Sequence, residues 1–302
     1  MRKFFLICAL VLSSCQLQEW RDSNNAELEA RMTNALQEAL VLGSKTAASN
    51  LGDTSCVSKD CVTGYLGNKL VEIVVPDTVL NVLNKINSFT NSINSLSPTA
   101  ISLLQTALGS QYSSIFNLGK YGDSIKVALN RGAEKAAPSS VDVFRNAIFG
   151  MSLSDARGLL LGDSLAATTY LHTTTYSGLR SAFSPILKEP LDLLNPNKFW
   201  KPIASNYNSF ATTYLGLASN PLLSSSALPG LPYQALPDDL SAYLAEYATG
   251  KALDGLFLMV GKQETKLRAD PWGTVSAAGD FITDTIGDLL GDIFTKAKNN
   301  LL

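Results

Sequence analysis

The chain has one histidine, His172, in 302 residues. Two-histidine metal sites and histidine relays are excluded at once. A serine paired with that one histidine would need presenting, and no Gly-x-Ser-x-Gly elbow is present to do so. His172 lies in a threonine-rich stretch and reads as a helix-surface or interhelical residue. Phosphate loops of the Gly-x-x-x-x-Gly-Lys type and Gly-x-Gly-x-x-Gly dinucleotide turns are also missing. Charge is sparse, at 17% of residues with a net charge of −2, and no basic run follows Lys3. Nucleic-acid binding by counterion release is thereby disfavoured, as is membrane binding through a basic patch. No cofactor is implied.

Cysteine is scarce, and each of the four copies has its own context. Arg2 and Lys3 precede the apolar run Phe4 to Leu12, which is far short of the roughly 20 residues a spanning helix needs. A positive start, a short apolar stretch and small residues together read as an export signal over residues 1–14, with Cys8 inside it. Leu12-Ser13-Ser14-Cys15 resembles the bacterial lipobox, an aliphatic residue and two small ones before cysteine. That resemblance implies diacylglycerol on the Cys15 thiol, cleavage before Cys15 and acylation of the new amino group. Two or three acyl chains make a durable anchor where one holds weakly. Gln16 rather than aspartate follows, which under enteric-type sorting leans towards the outer membrane. Residues 15–25 then form the acylated cysteine and a polar tether. Cys56 and Cys61 remain, five apart. In an oxidising compartment they suit a small disulfide loop, with two free thiols as the alternative. No further soft ligand lies nearby for a metal.

The rest, 26–302, reads as a single all-α domain, a multi-helix bundle. Leu28, Met32, Leu36, Ala39 and Leu42 recur at helical spacing, and Gly43 is a good stop. Leu70 to Val75 is β-branched, a short strand or buried extended segment. Val79, Leu83, Ile86, Phe89, Ile93 and Leu96 follow a near-heptad period behind Pro76. Helices are expected over Pro98 to Leu108, Tyr121 to Ala136 and Ser139 to Phe149. Ser152 with Asp155 forms a capping-box variant. A long helix runs from Asp163 or Ser164 to Lys188, disturbed at Pro185. Phe199 to Leu217 and Asp238 to Ala269 are helical, and the Ser-, Pro- and Leu-rich 219–237 segment between them is a loop insertion. A last amphipathic helix covers about Thr274 to Lys298, where Asp284, Asp288 and Asp292 share a face that reads as solvated rather than cation-binding.

Several blocks resemble one family. They are Ala35 to Leu40, Leu129 to Glu134, Ala147 to Ala156, Gly162-Asp163, Ala166 to Tyr170, Phe183 to Ile186, and above all Lys251 to Met259 followed by Glu264, Arg268 and Asp270-Pro271. In this order they are similar to the domain-of-unknown-function family four-one-nine-seven, exported bacterial proteins that are often lipoproteins. The resemblance implies an all-helical secreted domain with no assigned activity. Gly132 departs from the usual alanine, Val260 to Gln263 replaces a more acidic stretch, and the 219–237 insertion is extra.

Within the helical pattern, Asp254 interrupts a segment apolar nearly all round, Ala252 to Gly261. A buried unpaired charge is very costly, so Asp254 calls for a partner among Arg131, Lys251 and Arg268. Arg131, Glu134, Asp155, Asp254 and Arg268 would form a polar centre for a ligand or acid–base work, or else serve as caps and structural ion pairs. The leading expectation is a non-catalytic binding or envelope-associated lipoprotein. Its partner is the membrane through Cys15, together with a hydrophobic ligand or an envelope protein. The alternatives are an enzyme built on the polar centre, or a surface interaction module using the Asn- and Ser-rich helix from Pro76 to Leu96.

Overall fold

A computed structural model describes residues 29–56, 60–109, 112–113, 121–193, 200–219 and 240–270. The leader, Cys15, the tether, nearly all of the 219–237 insertion and the 274–298 helix with its three aspartates lie outside those residues. Helices dominate, as the all-α expectation requires. They are α1 (29–51), α2 (Asp77–Asn94), α3 (Pro98–Leu108), α4 (Tyr121–Ala136), α5 (Ser140–Phe149), α6 (Leu153–Leu161), α7 (Ala166–Leu193), α8 (Trp200–Ala218) and α9 (Ser241–Ala269). A 3-10 turn, Ala137–Ser139, carries α4 into α5 at Pro138.

Most starts and stops have a local cause. Ser97 accepts the Ala100 N–H at 3.3 Å, and Pro98 fills the first helical position of α3. The Ser152 hydroxyl accepts the Asp155 N–H at 3.1 Å while Asp155 accepts the Ser152 N–H at 2.9 Å, so α6 opens on a full capping box. Two expectations fail. Gly43 does not end α1, because Ala47, Ala48 and Leu51 continue its buried stripe. Pro185 does not break α7, which is helical on to Leu193.

Within the region read as one domain, the described residues group into two compact units. One gathers, among the described residues, 29–48, Ser140–Ser177 and 257–270. The other gathers Ser49–Ser139 and Gly178–Leu256. In the first, Phe144 meets Phe257 edge-on with ring centroids 5.8 Å apart. In the second, the heptad stripe of α2 is buried through Val79, Leu83, Ile86, Phe89 and Ile93. Phe89 sits among three rings of α8, with centroids 5.9 Å from Tyr207, 5.5 Å from Phe210 and 5.5 Å from Tyr214. Edge-to-face packing of this kind adds to the burial itself.

Within 70–75, Leu70 and Val71 close a turn and 72–75 is extended without being assigned as a strand. Val71, Ile73 and Val75 are buried and Val74 is exposed, the alternation of an extended chain. Among the described residues no neighbouring strand supplies its hydrogen bonds. The Asn130 side chain on α4 does so instead, accepting from the Ile73 N–H and donating to the Ile73 carbonyl, both at 2.8 Å.

Candidate functional site

Each unit contains one buried glutamate that holds backbone N–H groups of a separate segment with the help of an arginine on its own helix. In the second unit it is Glu134, 1% exposed on α4. Its Oε1 accepts the N–H groups of Tyr65 at 3.0 Å and Leu66 at 2.9 Å. Its Oε2 accepts Arg131 Nη1 at 2.6 Å, and the same nitrogen donates to the Thr54 carbonyl at 2.9 Å. Asn130 and Glu134, four residues apart, thus stitch the 53–75 segment onto one side of α4.

Gly64 makes this geometry possible. Its φ is +70°, and an added Cβ would lie 2.5 Å from the Asp53 carbonyl oxygen and 2.9 Å from Glu134 Oε1. The next residue, Tyr65, is fully buried and donates its hydroxyl to the Ala252 carbonyl at 2.7 Å. Burial, reinforced by the nearby Glu134 charge, pushes the Tyr65 phenol far above its ordinary range, so it stays a donor. Asp53 braces the same loop through the Ser55 N–H and the Thr63 hydroxyl, each at 2.8 Å. Those bonds, Ser55 first, hold its carboxyl below the ordinary value. A disulfide joins Cys56 and Cys61.

In the first unit the glutamate is Glu264 on α9, 5% exposed. Oε1 accepts the Ala167 N–H at 2.9 Å, and Oε2 accepts the Thr168 N–H and hydroxyl, both at 2.7 Å. These are orphan donors in the first turn of α7, so Glu264 caps that helix from another one and places negative charge at its positive end. Arg268 reaches Oε1 through Nε at 3.0 Å and Nη2 at 2.9 Å, and Nη2 also donates to the Leu159 carbonyl at 2.8 Å.

The five residues of the expected polar centre are divided between the two units, Arg131, Glu134 and Asp254 in the second, Asp155 and Arg268 in the first. Arg131 pairs with Glu134. Arg268 pairs with Glu264, in the other unit. Asp155 is exposed and spent on its cap, where hydrogen bonds from Ser152, backbone first, hold its carboxyl below the usual value. Asp254 is not buried. Its side chain is 65% exposed, with Lys251 Nζ 3.4 Å away. The reason is geometric: on α9, Lys251, Asp254 and Leu258 form a narrow exposed stripe between buried residues. A helix apolar nearly all round still has one wet edge, and Asp254 stands on it. His172 is exposed, as expected, with its ring centroid 4.6 Å from that of Phe257.

Glu264 and Asn130 are the residues that sequence reasoning passed over. Both stand within apolar helical stripes, Asn130 beside Leu129 and Ala133, Glu264 between Val260 and Leu267. Glu264 also precedes Arg268 by four residues, the favourable order for a helical ion pair.

A family model described as "Protein of unknown function (DUF4197)" matches residues 98–278. The chain belongs to that family. The match starts later than the resemblance seen from Ala35, yet it includes both glutamate–arginine pairs. The 53–75 segment held by Glu134 precedes it. No curated protein and no solved structure matches the chain. Among the described residues, no helix is long and apolar enough to cross a membrane. Among them, too, no group of three or more His, Cys, Asp or Glu side chains could hold a metal ion.

Proposed function

We propose that the protein is a membrane-anchored bacterial lipoprotein whose helical domain works by binding an envelope partner or a hydrophobic ligand rather than by catalysis. The observation that carries the non-catalytic half is the state of Glu134 and Glu264. Both oxygens of each accept bonds from backbone N–H groups, a hydroxyl or an arginine of the same chain. A general acid or base must reach its substrate, and these side chains are buried and hold partners from the same chain on both oxygens. The exposed position of Asp254, beside Lys251 and apart from the buried Glu134, also supports the non-catalytic reading.

The anchored half rests on the lipobox at Cys15 and the export signal before it. The Cys56–Cys61 disulfide suits an oxidising envelope compartment, and the outer membrane is the reading that Gln16 favours. The exposed face of α2 supports a protein partner. Asn84, Asn87, Asn91 and Asn94 line it at steps of three and four, all exposed.

Two measurements test this. Cells fed radiolabelled palmitate should label the wild-type chain and not Cys15→Ala; equal labelling removes the anchor. Native mass spectra of residues Gln16 to Leu302 should carry a reproducible added mass for a hydrophobic cargo. A bare mass instead directs attention to a protein partner, sought by crosslinking from α2.

A further inference from the structure

We propose that the α5–α6 edge of the first unit is a membrane-seating surface, resting in the headgroup layer of the bilayer that holds the Cys15 lipid. The proposal deepens the anchored-lipoprotein reading and rests on it.

The composition of this edge is unusual for a helix facing water. α6 turns Ala156, Leu159 and Leu160 inward. Its outward face carries Leu153, Arg157 and Leu161 at steps of four, hence on one side of the helix. Leu153 is 54% exposed and Leu161 49%. Just before them, at the end of α5, Phe149 is 51% exposed. Three large apolar side chains within thirteen residues thus face outward, while a water-facing helix normally puts polar groups there. Two arginines frame them. The Arg145 guanidinium lies 5.7 Å over the Phe149 ring, and Arg157 is two-thirds exposed. Apolar groups that enter the interface beside long cationic stems, whose heads stay at phosphate depth, are the pattern of an interfacial site. Asp155, the acidic residue of this helix, is bound into the capping box.

The path of the chain selects the bilayer as occupant. Arg157 pairs at 3.7 Å with Glu29, the first described residue of α1. Between Cys15 and Glu29 lie only Gln16 to Leu28, thirteen residues. A segment of that length spans at most ~50 Å. The chain therefore enters the unit beside the outward face of α6. A lipid anchor at Cys15 presents that face, ahead of others, to the membrane, where a weak apolar contact gains from the tether.

The test supplies the anchor chemically, so that it does not depend on lipidation in cells. Cys56 and Cys61 being disulfide-bonded, the chain from Cys15 onward is coupled through the Cys15 thiol to maleimide lipid in phosphatidylethanolamine–phosphatidylglycerol vesicles containing brominated acyl chains. Phe149→Trp and Leu161→Trp are compared with Leu103→Trp, an exposed position of α3 in the other unit, above the constant signal of the wild-type tryptophans. The expected result is a blue-shifted emission quenched several-fold more in the first two variants than in the third. Equal quenching at all three positions overturns the proposal. Equal palmitate labelling of wild type and Cys15→Ala with strong quenching here would remove the natural anchor and leave the surface standing. The reverse result would keep the anchor and remove the surface.

Discussion

Asn130 and Ile73 form a pair in which a side chain takes the place of a neighbouring strand. The carboxamide meets both the N–H and the carbonyl of Ile73 at 2.8 Å, deep in the second unit. A third bond, from Asn130 Nδ2 to the Lys126 carbonyl at 2.8 Å, fixes the amide's orientation. The extended 72–75 run is thus held to a helix without a β-sheet.

Asn130→Ala leaves a buried N–H and a buried carbonyl unsatisfied. Each such loss costs about 1–3 kcal/mol, so a destabilisation of about 2–5 kcal/mol is expected in urea unfolding. A value near that of an ordinary surface substitution would mean that the segment finds other partners. Ile73→Val, which keeps the backbone bonds, should cost only about 1 kcal/mol.

Glu264 and Arg268 should act as a unit. Glu264→Gln keeps one acceptor but loses the charge at the α7 terminus and the pairing with the guanidinium. A loss of about 3 kcal/mol is expected, as for breaking other buried pairs. In a double-mutant cycle with Arg268→Met, the coupling should reach about 1–3 kcal/mol. Additivity within error would show that the arginine is held by Leu159 alone.

Gly64→Ala should destabilise strongly, by about 2–4 kcal/mol, because the added carbon meets both an unfavourable φ and two oxygens. Gly158→Ala on α6, where nothing lies within 4 Å of the added carbon, should instead be neutral or mildly stabilising. Thermal melting of the two variants side by side reads the contrast.

Acid should weaken the α6 cap. The folded-state value of Asp155 lies below its unfolded value of 3.8, so its contribution is complete above that value and is lost as pH falls through the folded one. The stability difference between wild type and Asp155→Asn should be constant from neutral pH down to about 5 and shrink towards pH 3. A difference that grows on acidification would contradict the capping role.

Asp254→Asn should be nearly silent, within about 0.5 kcal/mol, since the carboxylate is exposed and its pairing with Lys251 is a surface one. A loss of several kcal/mol in the same unfolding experiment would place the side chain in the interior after all.

Helical periodicity was enough to place most of the helices. The apolar stripe of α2, the proline at the head of α3 and the Ser152–Asp155 box are local signals, and each marks its element to within a residue or so. Gly43 and Pro185 misled because the propensity of one residue is smaller than the packing of the stripe on either side of it. The disulfide loop was within reach of sequence because Cys56 and Cys61 are close along the chain.

The residues that matter most for the buried polar contacts were not legible in this way. Asn130 and Glu264 look like ordinary polar interruptions of amphipathic helices, and Glu134, although a candidate from its charge, gives no sign of what it holds. Their partners, Ile73, Tyr65, Leu66, Ala167 and Thr168, are backbone groups, which have no residue identity to recognise and lie 57 to 97 positions away. Asp254 shows the same limit in reverse: charge in an apolar run predicts burial, but a rotation of a few tens of degrees decides whether it faces core or water. By itself, the sequence determined the helices and the family, because these depend on neighbours along the chain. Only the tertiary structure decided which carboxylates are buried and what they hold, because a hydrogen bond is made by proximity in space, whatever the separation in sequence.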